Sequence, residues 1–375
     1  MTQALKTKAQ PAAGTLEDPW KFADIIADPA IKSRWEKVRR YFFLRESTYD
    51  MTSRCNIRCN GCYYYEGEKQ YTHDELDAAA WQARMRKEKE RGITFAVLAG
   101  AEPSLVPDLC EVCCREIPLG AIATNGLKFI PARVDYKIHI SVWGSDESSY
   151  KTRNARNMLV RQLEHYSGDP RAVFIYTFTP HNIAEAETVA ATIAKQGGRI
   201  SFNVFSAPVG YTGDLRHTPQ SLLKTGRMMI KLLNRYPEQV LFSPYNTVAH
   251  THELGLHTLF GCTYPRQNPT ENVGLGKSFR QYRTDLTWNR AAACCVPDTD
   301  CDDCRHYAAG SAVVTARLFR HAINPEQFSA WLDYVDTYLA VWVRDYAKGA
   351  NLCSRPVAPP GFDLSPDLAK SVNAL

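Results

Sequence analysis

Met51-Thr-Ser-Arg-Cys55-Asn-Ile-Arg-Cys59-Asn-Gly61-Cys62-Tyr63-Tyr-Tyr65 places three cysteines within eight residues, spaced Cys-x3-Cys-x2-Cys. Thiolates are soft ligands that suit iron–sulfur clusters, zinc or copper(I). No fourth cysteine follows for nearly fifty residues, until Cys110. Three thiolates hold three corners of a cubane cluster and leave one iron open to bind a substrate. A zinc knuckle short of one ligand, or three unrelated thiols in a core, would carry the same residues.

Working outward, residues 44–50 read as a strand that delivers this loop, and a helix is expected from Pro29 to about Phe43. After the loop, Thr72-His-Asp-Glu75 has the pattern of a capping box opening a helix through Trp81 and Met85 to Arg91, ended by Gly92. Ile93 to Ala99 is a nearly continuous apolar strand, as expected when both faces are buried. A helix over 106–116 leads to a strand over 120–124. Further strands are expected at 136–142, 172–178 and 200–205, with helices at 146–166 and 183–196. Six strands with intervening helices give an α/β fold, an open partial (β/α)6 TIM-like barrel. Beyond residue 215 come one amphipathic helix at 219–236, an irregular cysteine-bearing region from Phe260 to Tyr307, and a helix at 325–348 whose aromatics are spaced as packing residues.

In such folds ligands sit at the carboxyl ends of the strands. There the chain reads Gly100-Ala101-Glu102-Pro103, then Thr124-Asn125-Gly126, then Ser141-Val-Trp-Gly144 with Arg153 downstream. Together with the cysteine loop, these turns resemble the radical S-adenosylmethionine (SAM) enzymes, over about residues 44–210. The resemblance implies a [4Fe–4S] cluster on Cys55, Cys59 and Cys62, with SAM chelating the open iron. Its reductive cleavage would give a 5′-deoxyadenosyl radical that takes a hydrogen atom from a substrate. The family's Gly-Gly-Glu-Pro turn receives the methionyl ammonium group on its backbone, and here Ala101 replaces the second glycine between Gly100 and Glu102. By the same match Ser141 would bond the ribose or carboxylate of SAM, and Arg153 would pair with the carboxylate. The residue before the last cysteine is often aromatic in the family. Here it is Gly61, and Tyr63 would face the adenine instead. Thr177, Thr179 and Asn203 close the fifth and sixth strands where ribose hydroxyls would lie.

A second group comprises Cys262, Cys294, Cys295, Cys301 and Cys304. Zinc and a cubane are both chemically possible there. Relatives in the SPASM and twitch branches carry an auxiliary [4Fe–4S] cluster in this position. The resemblance therefore implies a cysteine-rich, twitch-like C-terminal domain with one such cluster. Cys295, Cys301 and Cys304 would be ligands, with either Cys262 or Cys294 as the fourth. Cys110, Cys113 and Cys114 instead fall on one helix face and read as core. Cys353 stands alone, as a spectator or as a hydrogen donor. His252 and His257 have the gap of a zinc pair, near His250, but no cysteine pair precedes them at finger spacing. His139 would point into the barrel, or sit as a satisfied core residue.

The expected divisions are an arm and helix over 1–43, the barrel over 44–215, linking helices over 216–259, and an auxiliary-cluster domain with its tail over 260–375. The formal net charge of +5, from 45 basic and 40 acidic residues, is too small and scattered to argue for nucleic acid. No apolar run is long enough to span a membrane, and Met1 to Gly14 lacks the apolar core of a secretory signal. Twelve cysteines without such a signal point to metal ligation in a reducing cytoplasm. The expected activity is that of an oxidoreductase acting on a small natural product or metabolite. Dehydrogenation or bond formation would send an electron to the auxiliary cluster, and a flavodoxin or ferredoxin would supply the reducing electrons. A redox-neutral epimerase, mutase or decarboxylase and a maturase of ribosomal peptides are the alternatives. A structural zinc or iron–sulfur protein is the non-enzyme alternative.

Overall fold

Period-two burial governs the central sheet. In β4 (Lys137–Val142), Ile138 and Ile140 turn outward into one core, while His139 and Ser141 turn inward to a cavity. β5 (Ala172–Phe178) is buried along its whole length, as a strand covered on both faces must be. The structure is a computed structural model and describes residues 21–41, 44–66, 73–256, 279–288, 299–320, 322 and 324–346. Expectations for other positions, including Cys262, Cys294, Cys295, His257, Cys353 and the tail, lie outside the described residues.

The remaining strands are β1 (Glu46–Asp50), β2 (Phe95–Ala99), β3 (Gly120–Thr124), β6 (Ile200–Val204) and β7 (Gln281–Tyr282). Their order is β6-β5-β4-β3-β2-β1-β7, and every pairing is parallel. Sequential parallel neighbours, joined by helices everywhere but between β3 and β4, are the pattern of a β/α barrel left open, which is the expected architecture. The sixfold count falls one short, because β7 adds to the outer edge of β1. Its two residues, inside a stretch that reads as irregular, are too few for a periodic signal.

The outer face of the sheet packs on the helices Ala78–Glu90 and Pro107–Glu116 through Trp81, Met85, Cys110 and Cys113. The inner face, with Phe95, Ala121, Val173 and Ile175, packs on the C-terminal helices through Leu332, Val335 and Leu339. Each such buried side chain contributes about 1.5–3 kcal/mol relative to exposure. The helix Pro325–Trp342 is tied to Pro29–Val38 by Arg34 on Asp333 and by Lys37 on Asp336 at 2.8 Å. The helix Tyr307–Arg320 also lies in chain that reads as irregular or unassigned.

Two helix expectations are corrected. The helix after the cysteine loop starts at Ala78, with the Asp77 carboxylate as its cap, not at a box over 72–75. Glu75 has its backbone N–H on the Thr284 carbonyl and its own carbonyl on the Trp81 indole N–H, so this stretch is committed to neighbours. The helix expected over 146–166 is two helices, Asp146–Arg153 and Met158–Tyr166. Asn154 and Asn157 take left-handed φ values of 52° and 54°, which asparagine tolerates better than most residues and which break the run. Among the described residues no helix is long and apolar enough to cross a membrane.

Candidate functional site

The cysteine loop leaves the carboxyl end of β1 and is held from three sides. Asn60 N–H donates to the Thr152 carbonyl at 2.8 Å, Tyr65 O–H to the Ser53 carbonyl at 3.0 Å, and Asp74 accepts from Thr52 and from Ser53 N–H. Cys55, Cys59 and Cys62 are free thiols, each partly exposed. Cys55 and Cys59 pack beside Ile57, Leu127 and Met158. Burial raises the Cys62 thiol to about 11, with the neighbouring Cys59 and Cys55 adding to the rise. Burial also raises Cys55; Glu102 and Cys59 add to that rise, and Arg153 opposes it.

Two groups from later strands reach these sulfurs. Arg153 donates from Nε to the Cys59 sulfur at 3.4 Å and from Nη1 to the Ser141 carbonyl at 2.6 Å. Asn125 Nδ2 lies 3.7 Å from the Cys55 sulfur. Arg153 is only 4% exposed, so it is not a solvated helix charge.

The turn after β2 is built for close approach. Gly100 has φ +105°, and a Cβ there would meet Met51 N at 2.8 Å. Ala101 donates its N–H to the Thr52 carbonyl at 2.9 Å and is not among the positive-φ residues, so its Cβ is accommodated without strain. Glu102 is 1% exposed and points away from the loop surface into the turn after β3. Its carboxylate accepts from Thr124 O–H at 2.6 Å, Asn125 N–H at 2.8 Å and Ser104 N–H at 3.0 Å. Glu102 therefore braces the turn that presents Asn125.

Inside the sheet a cavity of about 210 Å³ opens beneath the loop. Gly61 and Tyr63 form one wall, Ser141, Thr177 and Asn203 the strand ends, and Tyr307 with Trp342 the far side. Burial raises the Tyr63 phenol, helped by Asp50, while the Gly100 backbone amide opposes the rise. Tyr63 thus sits between the cysteine loop and the cavity. Ser141 Oγ accepts from the Trp143 indole N–H at 3.1 Å. Thr179 is buried, with its hydroxyl unpartnered, and does not line the cavity. At Gly61 a Cβ would lie 2.5 Å from the Phe205 ring, which occupies the room a side chain there would need. Sequence reading missed Phe205, Tyr307 and Trp342 as wall residues. Only their contacts across the fold reveal them.

Among the described residues no three His, Cys, Asp or Glu side chains close on a single metal ion. A four-iron cluster holds its thiolates at separate corners, so three free thiols spread around one loop fit it by donor type. His250 is wholly buried, donates to the Arg305 carbonyl from Nδ1 at 2.6 Å, and reads as core. In the second cysteine group, Cys301 and Cys304 sit on the 3-10 turn Cys301–Asp303 and just after it. This turn docks on the segment after β6: Asp300 N–H donates to the Ala207 carbonyl at 3.0 Å, and Arg305 N–H to Ser206 Oγ at 2.8 Å.

No family model and no curated protein matches this chain. Among solved structures, Streptococcus suis SuiB is similar at 12% identity and a TM-score of 0.47, over 68% of this chain and 62% of that one. SuiB bound to S-adenosylmethionine is similar at 13% identity, with the same TM-score and coverage. A histidine-tagged anSMEcpe with bound AdoMet is similar at 16% identity and a TM-score of 0.41, over 52% of this chain and 60% of that one. The chain thus spans about three fifths of the length of these structures.

Proposed function

We propose that this chain is a radical SAM enzyme whose cluster is held by Cys55, Cys59 and Cys62. When bound, the cluster and SAM supply a strongly oxidising carbon radical from one low-potential electron. The reading is carried by one observation: three free, partly exposed thiols on a single loop after β1, which reaches a cavity inside a parallel sheet through Gly61 and Tyr63. Arg153 and Asn125 stand at the sulfurs as hydrogen-bond donors, which stabilise thiolate charge. Gly100 and Ala101 bring backbone to the loop, while Ser141 and Arg153 are the groups offered to SAM's ribose and carboxylate. Tyr63 is the aromatic face offered to adenine. The walls exclude water, so that a reactive radical meets only what the cavity holds.

In this reading residues 44–215 form the catalytic barrel and 260–375 carry an auxiliary cluster on Cys295, Cys301, Cys304 and either Cys262 or Cys294. A flavodoxin or ferredoxin would reduce the first cluster. The substrate is a small natural product or metabolite, in keeping with the volume of the cavity, and an auxiliary cluster would favour an oxidative outcome. A redox-neutral outcome is the second reading, favoured by Tyr307 in the cavity wall, whose Oη lies 2.8 Å from His139 Nδ1.

The test is anaerobic reconstitution with iron and sulfide, followed by reduction in the presence of SAM. Formation of 5′-deoxyadenosine is expected, and its absence refutes the reading. Iron and sulfide enough for two four-iron clusters support the auxiliary cluster, whereas one cluster's worth with bound zinc removes it.

A further inference from the structure

His139 and Tyr307 are far apart in sequence yet paired in the cavity wall. His139 Nε2 lies 2.8 Å from the Val341 carbonyl, which can only accept. Nε2 therefore carries the ring proton, and Nδ1 is left as an acceptor. Tyr307 Oη lies 2.8 Å from Nδ1, so the phenol donates to it. The Tyr307 backbone N–H is held by Asn203 Oδ1 at 2.9 Å, and the Trp342 indole stacks on the phenol ring at 5.4 Å and 10°. His139 is 2% exposed, and burial lowers its pKa to about 4, so it is a neutral base at physiological pH. The phenol is thus fixed in place, with its edge on the same cavity that Gly61 and Tyr63 of the cysteine loop line.

We propose that Tyr307 is a hydrogen-atom donor that returns a hydrogen to a substrate carbon radical. The inference rests on the radical SAM reading and deepens its redox-neutral form. The Tyr307 O–H bond breaks homolytically as a substrate C–H bond forms, leaving a neutral phenoxyl radical. The O–H turns from Nδ1 toward the cavity to do so, by rotation about the C–O bond. One electron from a low-potential iron–sulfur or flavin carrier and one proton from water then restore the phenol. A phenolic O–H is weaker than an aliphatic C–H, so the transfer runs downhill. Ser141 and Thr177, the hydroxyls also on this wall, have O–H bonds too strong to give up a hydrogen atom to carbon. The outcome for substrate is a redox-neutral change, such as inversion at the carbon that lost its hydrogen.

The test needs no identified substrate. With no substrate present, the 5′-deoxyadenosyl radical of the reconstituted protein stands in for the substrate carbon radical as hydrogen acceptor at the cavity wall. The reaction is run in D2O, where the phenolic hydrogen has exchanged but carbon-bound hydrogens have not. The 5′-deoxyadenosine is then weighed. Deuterium in the wild-type product that falls to natural abundance in Tyr307→Phe is the expected result. Equal deuterium in both proteins, or none in the wild type, overturns the proposal. Loss of the label in Tyr63→Phe with retention in Tyr307→Phe assigns the donor to Tyr63 and also overturns it. A second arm uses cluster-free protein, photo-oxidised with a ruthenium sensitiser and frozen for electron paramagnetic resonance. A tyrosyl signal with the lowered gx of a hydrogen-bonded phenoxyl, absent in Tyr307→Phe, is expected, and an unchanged signal counts against the pair. A wild-type protein that forms no 5′-deoxyadenosine refutes the radical SAM reading itself, and the hydrogen-return step falls with it.

Discussion

This protein carries two sets of three closely spaced cysteines, and they have opposite fates. Cys55, Cys59 and Cys62 ride on a loop with partly exposed thiols, held by side chains from later strands. Cys110, Cys113 and Cys114 ride on one face of the helix Pro107–Glu116 and are 0%, 0% and 8% exposed. Burial pushes the Cys110 and Cys113 thiols far above their usual range and Cys114 to about 11. The backbone beneath them, helix or loop, separates the two sets. Steps of three and four on a regular helix keep returning to the core, where cysteine acts as a small hydrophobe. A similar spacing on a loop that spends few backbone bonds on itself turns the sulfurs towards a ligand. The Glu102–Pro103 turn touches both sets: Glu102 holds the backbone N–H of Asn125, whose side chain lies at Cys55, and the Pro103 carbonyl accepts from the Cys110 thiol at 3.6 Å.

Removing each set of sulfurs in turn tests the contrast most severely. Serine at Cys55, Cys59 and Cys62 together should abolish 5′-deoxyadenosine formation and iron retention while leaving the far-ultraviolet circular dichroism unchanged. Serine at Cys110, Cys113 and Cys114 should leave iron bound at the loop. Retained cleavage in the first variant would end the assignment.

Alkylation of the cluster-free protein should separate the sets by about a hundredfold in rate, because the thiolate reacts and burial suppresses both thiolate and access. Peptide mapping after iodoacetamide should find Cys55, Cys59 and Cys62 modified first. The Cys62 rate should climb as pH rises toward about 11, the value to which burial lifts it. Early labelling of Cys113 would show that the helix face is not core.

Glu102→Ala removes three hydrogen bonds to a buried carboxylate and should cost about 3 kcal/mol, more than Glu102→Gln, which keeps one acceptor oxygen. Urea midpoints measure this. The loss of Asn125's support should also weaken iron retention at the cysteine loop, whereas a purely global destabilisation would leave it unchanged in buffer.

A more modest change is expected at the buried helix face. Cys113→Ser exchanges a thiol for a hydroxyl with no partner and should cost about 1–3 kcal/mol, read as a shift in urea midpoint with no change in iron content. A neutral result would mean that the hydroxyl finds a carbonyl within the helix.

Much of the frame was legible in the residues. β3 and β5 have the bounds their apolar runs predict, and Cys110, Cys113 and Cys114 are core as their spacing requires. Local signals failed where a neighbour outbid them. The Thr72–Glu75 pattern does not open the next helix, since Glu75 is bonded to Thr284, and two left-handed asparagines split the 146–166 run. The two residues of β7 carry no pattern at all and exist because β1 offers them a free edge.

The residues alone determined the alternation of strands and helices and the placing of three thiols after the first strand, since both follow from periodicity and short spacing along one chain. Tertiary structure decided what surrounds those thiols. Phe205 fills the room left by Gly61, Arg153 turns back onto Cys59, and Tyr307 meets His139 across 168 positions. Such pairings depend on how the strands and the C-terminal helices pack against one another, and no local stretch of sequence encodes that contact by itself.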